Sequence, residues 1–145
     1  MQEMFNRKRI SILYNINKQH AKALSDMGFK FAGQLLEKCK TKEQRQNLAT
    51  DLKIPYEDLY KIVIWCDFAR FCGGKQLYYI YESGFHSIDQ IINSYPDEIR
   101  NQIKDMMVLS GSKPIIPKCC DPAGIIHGAK ITPIIIEYDT LCKEE

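Results

Sequence analysis

Apolar residues recur at three- and four-residue spacing over most of the first 110 positions, as expected for helices that bury one face. Ala21, Leu24 and Met27 form such a stripe and predict a helix from about Lys18 to Met27. Gly28 suits the left-handed position that ends a helix, and Phe29 follows as an apolar plug. A short second helix carries Leu35, Leu36 and Cys39. Thr41-Lys42-Glu43-Gln44 has capping-box spacing and opens a third helix through Leu48, Ala49 and Leu52. Pro55 starts a fourth, which turns Leu59, Ile62, Val63 and Cys66 inward, with Trp65 in the same core.

The same order of events then returns at an offset of 56 residues, which places Leu24 on Ile80, Gly28 on Gly84 and Phe29 on Phe85. Gln34-Leu35-Leu36 falls on Gln90-Ile91-Ile92, and after one deletion Arg45-Gln46-Asn47-Leu48 falls on Arg100-Asn101-Gln102-Ile103. A helix over Gln76–Ser83 ends at Gly84, and Ser87–Gln90 is a second capping box. Pro96 opens a last helix with Ile99, Ile103, Met106 and Met107. The expected fold is therefore mainly α: two tandem copies of one unit, about 10–53 and 66–109, packed as a domain of residues 1–110.

Beyond Ser110 the pattern changes. Residues 111–145 hold four prolines, Asp121-Pro122-Ala123-Gly124 reads as a turn, and Ile131–Tyr138 is β-branched. A short extended or β arm is expected, laid over the helical body. The alternative is an arm that docks a protein partner by adding a strand, because Ile134-Ile135-Ile136 is too apolar for water.

Composition sets limits but selects no function. Hydrophobic residues make up 45% and charged residues 26% of 145, as in an ordinary globular domain. No run approaches the ~18 apolar residues of a membrane span. The basic N-terminal stretch lacks the apolar core of a secretion signal, so a cytoplasmic protein is expected. Six cysteines in that setting are expected as free thiols. The net charge of +2 is unevenly spread: residues 1–50 sum to +6 and residues 51–145 to −4. A basic first half suits an anionic partner.

The candidate chemistry lies in two turns ahead of the matched helices. The first holds Asn15-Ile16-Asn17-Lys18 with Ala21, and the second holds Phe71-Cys72-Gly73-Gly74-Lys75 with Leu77. The first resembles a helix-hairpin-helix motif, a Gly–apolar–Gly turn followed by a helix, with both glycines replaced by asparagine. The second retains one of the glycines. The wider layout resembles a bacterial and archaeal family of domains of unknown function built from paired helix-hairpin-helix (SAM-like) units. The matching stretches are Ala21–Phe29, Leu35-Leu36, Arg45 with Leu48-Ala49, Asp67-Phe68-Ala69-Arg70 and Leu77–Phe85, within about residues 10–107.

The resemblance implies sequence-independent contact with the DNA or RNA backbone. Its chemistry is simple: a turn with φ > 0 brings backbone close to a ligand, and the following helix start presents unpaired N–H groups and partial positive charge. Asn15, Ile16, Asn17 and Lys18 with Lys22, and Gly73, Gly74 and Lys75, are the expected binding residues, with Arg7, Lys8 and Arg9 adding charge.

Other constellations lead nowhere further. His20, His86 and His127 are scattered, no nucleophile motif is present, and no enzyme activity or cofactor is expected. Cys119-Cys120 with His127 and Cys142 lacks the two-residue gap of paired zinc cysteines, so no metal site is expected. Gly73-Gly74-Lys75 lacks the first glycine and the Ser/Thr of a phosphate-binding P-loop. Tyr78, Tyr79 and Tyr81 are expected to pack, with base stacking as the alternative. Asp67 and Arg70 are expected as a weak i,i+3 pair, and Arg45 and Arg100 as structural residues at helix ends.

Overall fold

A computed structural model describes residues 8–111 and 122–139. Arg7, Cys119, Cys120, Asp121 and Cys142 lie outside the described residues. A 3-10 turn at Ile10–Ile12 leads into α1 (Lys18–Asp26), α2 (Ala32–Lys38), α3 (Lys42–Leu52) and α4 (Tyr56–Phe68). These are followed by α5 (Gly74–Glu82), α6 (Ile88–Ile92), α7 (Pro96–Leu109) and α8 (Pro122–Lys130). Among the described residues there is no strand, only an isolated antiparallel bridge between Arg9 and Phe31. The fold is mainly α.

The local chemistry explains the helix ends. α1 stops where Gly28 takes φ 95°, and α5 where Gly84 takes φ 112°. The amide after each glycine turns back onto the helix, Phe29 N to Leu24 O at 2.8 Å and Phe85 N to Ile80 O at 3.2 Å. Ahead of α3, Thr41 Oγ1 accepts from Gln44 N at 3.2 Å while Gln44 Oε1 accepts from Thr41 N at 3.1 Å. Ahead of α6 only half of that box closes. Ser87 Oγ accepts from Gln90 N, but Gln90 Oε1 takes the amide of His86.

α4 is the axis of the core, buried without interruption from Ile62 to Phe68. It packs against α2 and α3 on the first-half side and against α5 on the other, and α5 in turn meets α7. Leu24, Leu35, Leu59, Leu77, Ile80 and Ile91 are fully buried and make one continuous core through both halves.

The C-terminal region differs from expectation. Pro122-Ala123-Gly124 does not form a loop but is the first turn of α8, where a proline's fixed φ and missing N–H are at home. α8 buries Pro122, Ile125, Ile126 and Ala129, an i, i+3, i+4, i+7 stripe, against α6 and α7. Gly128 permits the close approach: a Cβ there would lie 3.1 Å from Phe71 Cβ. Residues 131–139 form neither strand nor hairpin, and one backbone bond, Glu137 N to Lys40 O at 2.6 Å, ties them to the helical body. Ile136 is buried, whereas Ile131, Ile134 and Ile135 stay exposed. A strand needs a neighbouring edge to pair with, and the described body offers none.

Candidate functional site

The first turn is built by asparagine chemistry. Asn15 sits in the left-handed region at φ 62°, a conformation asparagine tolerates better than most side chains. Ile16 is buried beneath it. Asn17 is the N-cap of α1, its Oδ1 accepting from Gln19 N at 2.8 Å and His20 N at 3.0 Å. The bend before Lys18 is thus present, but two of the first helix amides are satisfied by Asn17 itself. What this turn presents outward is the exposed Lys18, beside the exposed Asn15. Lys22 is engaged with Asp26 at 3.1 Å. Behind the turn lies a cavity of about 210 Å³, walled by Asn15, Asn17, His20, Asp58, Lys61 and Trp65. Trp65 is 3% exposed, and its indole Nε1 has no hydrogen-bond partner among the described residues.

The second turn has different geometry. Gly73 takes φ −117° as the N-cap residue, and its amide donates to Gln76 Oε1 at 2.9 Å. Gly74 and Lys75, expected in the turn, are the first two residues of α5. Left-handed glycine does not shape this turn. The fold nevertheless brings the two turns together: Lys75 Nζ stands 5.2 Å from the centre of the Tyr14 ring, and Tyr14 meets Tyr78 edge-on at 5.0 Å.

A second polar cluster was not expected. Arg45 is fully buried and uses its whole guanidinium. Nη1 donates to Cys39 O at 3.0 Å, Nη2 to Asp139 Oδ1 at 2.8 Å and Nε to the Tyr56 hydroxyl at 3.2 Å. Tyr56 donates to Asp139 Oδ2 at 2.6 Å, Asp139 N donates to the Tyr60 hydroxyl at 2.9 Å, and the guanidinium lies over the Tyr60 ring. Burial, with Asp139 accepting from the hydroxyl, pushes the Tyr56 phenol up to about 12. Next to this cluster, Asp67 is also fully buried. It accepts from Arg70 Nε at 3.0 Å and from Arg70 Nη2 on Oδ1, and from the Tyr138 hydroxyl on Oδ2. Arg70 Nη1 donates to Pro133 O. Burial pushes the Asp67 carboxyl above its ordinary value, while Arg70 and Tyr138 pull the other way. Asp67 and Arg70 thus form the expected i,i+3 pair, but a buried one and not a weak one. Arg70 lies beyond the end of α4 and is held from the C-terminal side by the Pro133 carbonyl.

The description "Domain of unknown function (DUF4332)" belongs to a family that matches residues 14–120. The chain belongs to that family. No curated protein and no solved structure matches it. The DUF4332 match takes in both turns, Arg45 and Asp67, but ends before α8 and before Tyr138 and Asp139. Two buried charges of the DUF4332 region therefore find partners outside it.

The remaining candidates are accounted for by packing. In this DUF4332 protein Tyr78 and Tyr81 pack around Trp65 at 6.2 Å each, and Lys61 covers Trp65 and Tyr81. Arg100 pairs with Asp97 at 2.6 Å on the surface. Cys39 and Cys66 are buried thiols, and burial pushes Cys39 up to about 12. No group of three metal-ligating side chains and no helix able to cross a membrane occurs among the described residues. Arg45 and Asp67 did carry a sequence signal. Each interrupts an apolar stripe at helical spacing, and a charge in such a place requires a partner.

Proposed function

We propose that this DUF4332 protein is a non-catalytic binding module of the cytoplasm, working without a cofactor, whose two turns form one weak, sequence-independent contact with nucleic-acid backbone. The reading rests on the convergence of the turns: Lys75 of the second lies against Tyr14 of the first, beside Asn15, Asn17 and Lys18. A point charge beside an outward bend suits a phosphate. The +6 charge of residues 1–50 adds attraction at longer range. With Gln19 and His20 amides already capped, side-chain charge dominates the contact, so the logarithm of the affinity falls linearly with the logarithm of salt concentration. In the same reading the two halves are copies of one helix-hairpin-helix-like unit. The left-handed glycines at 28 and 84 and the matched helices on either side of each support this.

The test is anisotropy of labelled random duplex and single-stranded DNA across a salt series. Binding at low salt that weakens with salt, and that Lys18→Glu with Lys75→Glu abolishes, supports the reading. Absence of binding at low salt, or binding untouched by that double variant, ends it.

A second reading, a protein-interaction module, draws on the apolar face of the C-terminal arm. Ile131 is 70% and Ile134 50% exposed. Because Ile136, Tyr138 and Asp139 are tied into the body, the test is Ile131→Lys with Ile134→Lys and not truncation. An unchanged mass by light scattering removes self-assembly through that face.

A further inference from the structure

A groove of about 680 Å³ lies between α5 and α7. Tyr78 and Tyr79 of α5, Met106 and Leu109 of α7, and Tyr14 supply apolar wall. Leu109, at the end of this wall, is 88% exposed. Two carboxylates, Glu82 and Asp105, line the groove, and Lys75 stands at its edge against the Tyr14 ring. Glu82 holds Lys61 at 3.4 Å, while Asp105 forms no ion pair among the described residues.

We propose that this groove receives a basic, amphipathic helical segment of a partner protein. Three features favour that occupant. The α7 wall from Gln102 to Leu109 is about 12 Å long, two helical turns, and the space between two packed helices is complementary to a third. Unbranched Met106 and the tyrosine rings adapt to an apolar face laid on them. Asp105, which has no ion pair among the described residues, then meets a lysine or arginine flanking that face. Lys18 does not line the groove, so this proposal does not depend on the nucleic-acid reading.

The experiment uses the full chain with a labelled synthetic Leu/Lys amphipathic helix of about 14 residues, roughly 21 Å long. A Leu/Glu peptide with the same apolar face is the control. The expected result is saturable binding of the Leu/Lys peptide, with the Leu/Glu peptide weaker by about tenfold or more. Leu109→Asp and Asp105→Lys, both at exposed positions, each weaken the Leu/Lys peptide by about tenfold while the helical circular dichroism is unchanged. Lys18→Glu leaves it bound, whatever that variant does to DNA. Three outcomes overturn the proposal: no binding of the Leu/Lys peptide, equal affinity for both peptides, or indifference to Leu109→Asp. Displacement of the peptide by an oligothymidine in the wild type also overturns it, and assigns the groove to nucleic acid.

Discussion

Arg45 and Arg100 occupy corresponding places in the two halves of the chain, each near the start of the third helix of its half, and they live in opposite surroundings. Arg100 lies 41% exposed against Asp97 in its own first helical turn. Arg45 is sealed, with Cys39, Tyr56 and Asp139 around its guanidinium and Tyr60 beneath it. The helices around them are alike. What differs is that residues 132–139 cross the first half and deliver Asp139, while α8 covers the second half with the apolar stripe Ile125, Ile126 and Ala129. The same position in a repeated pattern thus becomes a surface ion pair or a core element according to what covers it.

Ending the chain after Ile131 should break this contrast most severely. Arg45 and Asp67 would lose Asp139 and Tyr138 together with the cover that keeps water from them, at a cost of about 5 kcal/mol, comparable to the whole stability of many domains. Urea unfolding measures it, and a truncated chain as stable as the full one would show that the arm is only a cover. Arg45→Ala, which leaves Asp139 without its cation, should cost about 3–5 kcal/mol in the same assay. Tyr138→Phe removes one hydroxyl from Asp67 and should cost about 1–3 kcal/mol.

Alkali sharpens the comparison without mutation. Tyr56 loses its proton at about 12 in the fold against 10.0 when unfolded, so its neutral phenol stabilises the fold fully below pH 10. That contribution disappears as pH rises from 10 to about 12, and Tyr56→Phe should remove its share of the slope in a series of urea melts. The smallest effect belongs to Arg100→Ala, within about 0.5 kcal/mol. A loss there equal to that at Arg45 would erase the distinction between the halves.

Most of the first seven helices could be read from the chain, because their boundaries are set by neighbours in sequence. Gly28 and Gly84 at positive φ, Thr41 with Gln44 and Pro96 at a helix start are local devices. α8 was missed although its stripe of Pro122, Ile125, Ile126 and Ala129 has helical spacing, since Pro122 suits a turn and a first helical position equally. The bend at Asn15 was legible for the same local reason. Its capped amides were not, because Asn17 can point its carboxamide at the helix or at a ligand. The partners of the two buried charges were beyond local reasoning: Asp139 stands 94 positions from Arg45 and Tyr138 stands 71 from Asp67.

That separation also orders events in time. While the polypeptide is being synthesised, α3 and α4 emerge long before Asp139 does. Until then the guanidinium of Arg45 has only Tyr56 and the Cys39 carbonyl to replace water, and Asp67 has only Arg70. Both buried charges lack these partners until residues 132–139 have been made, so it is that stretch which completes the polar part of the core.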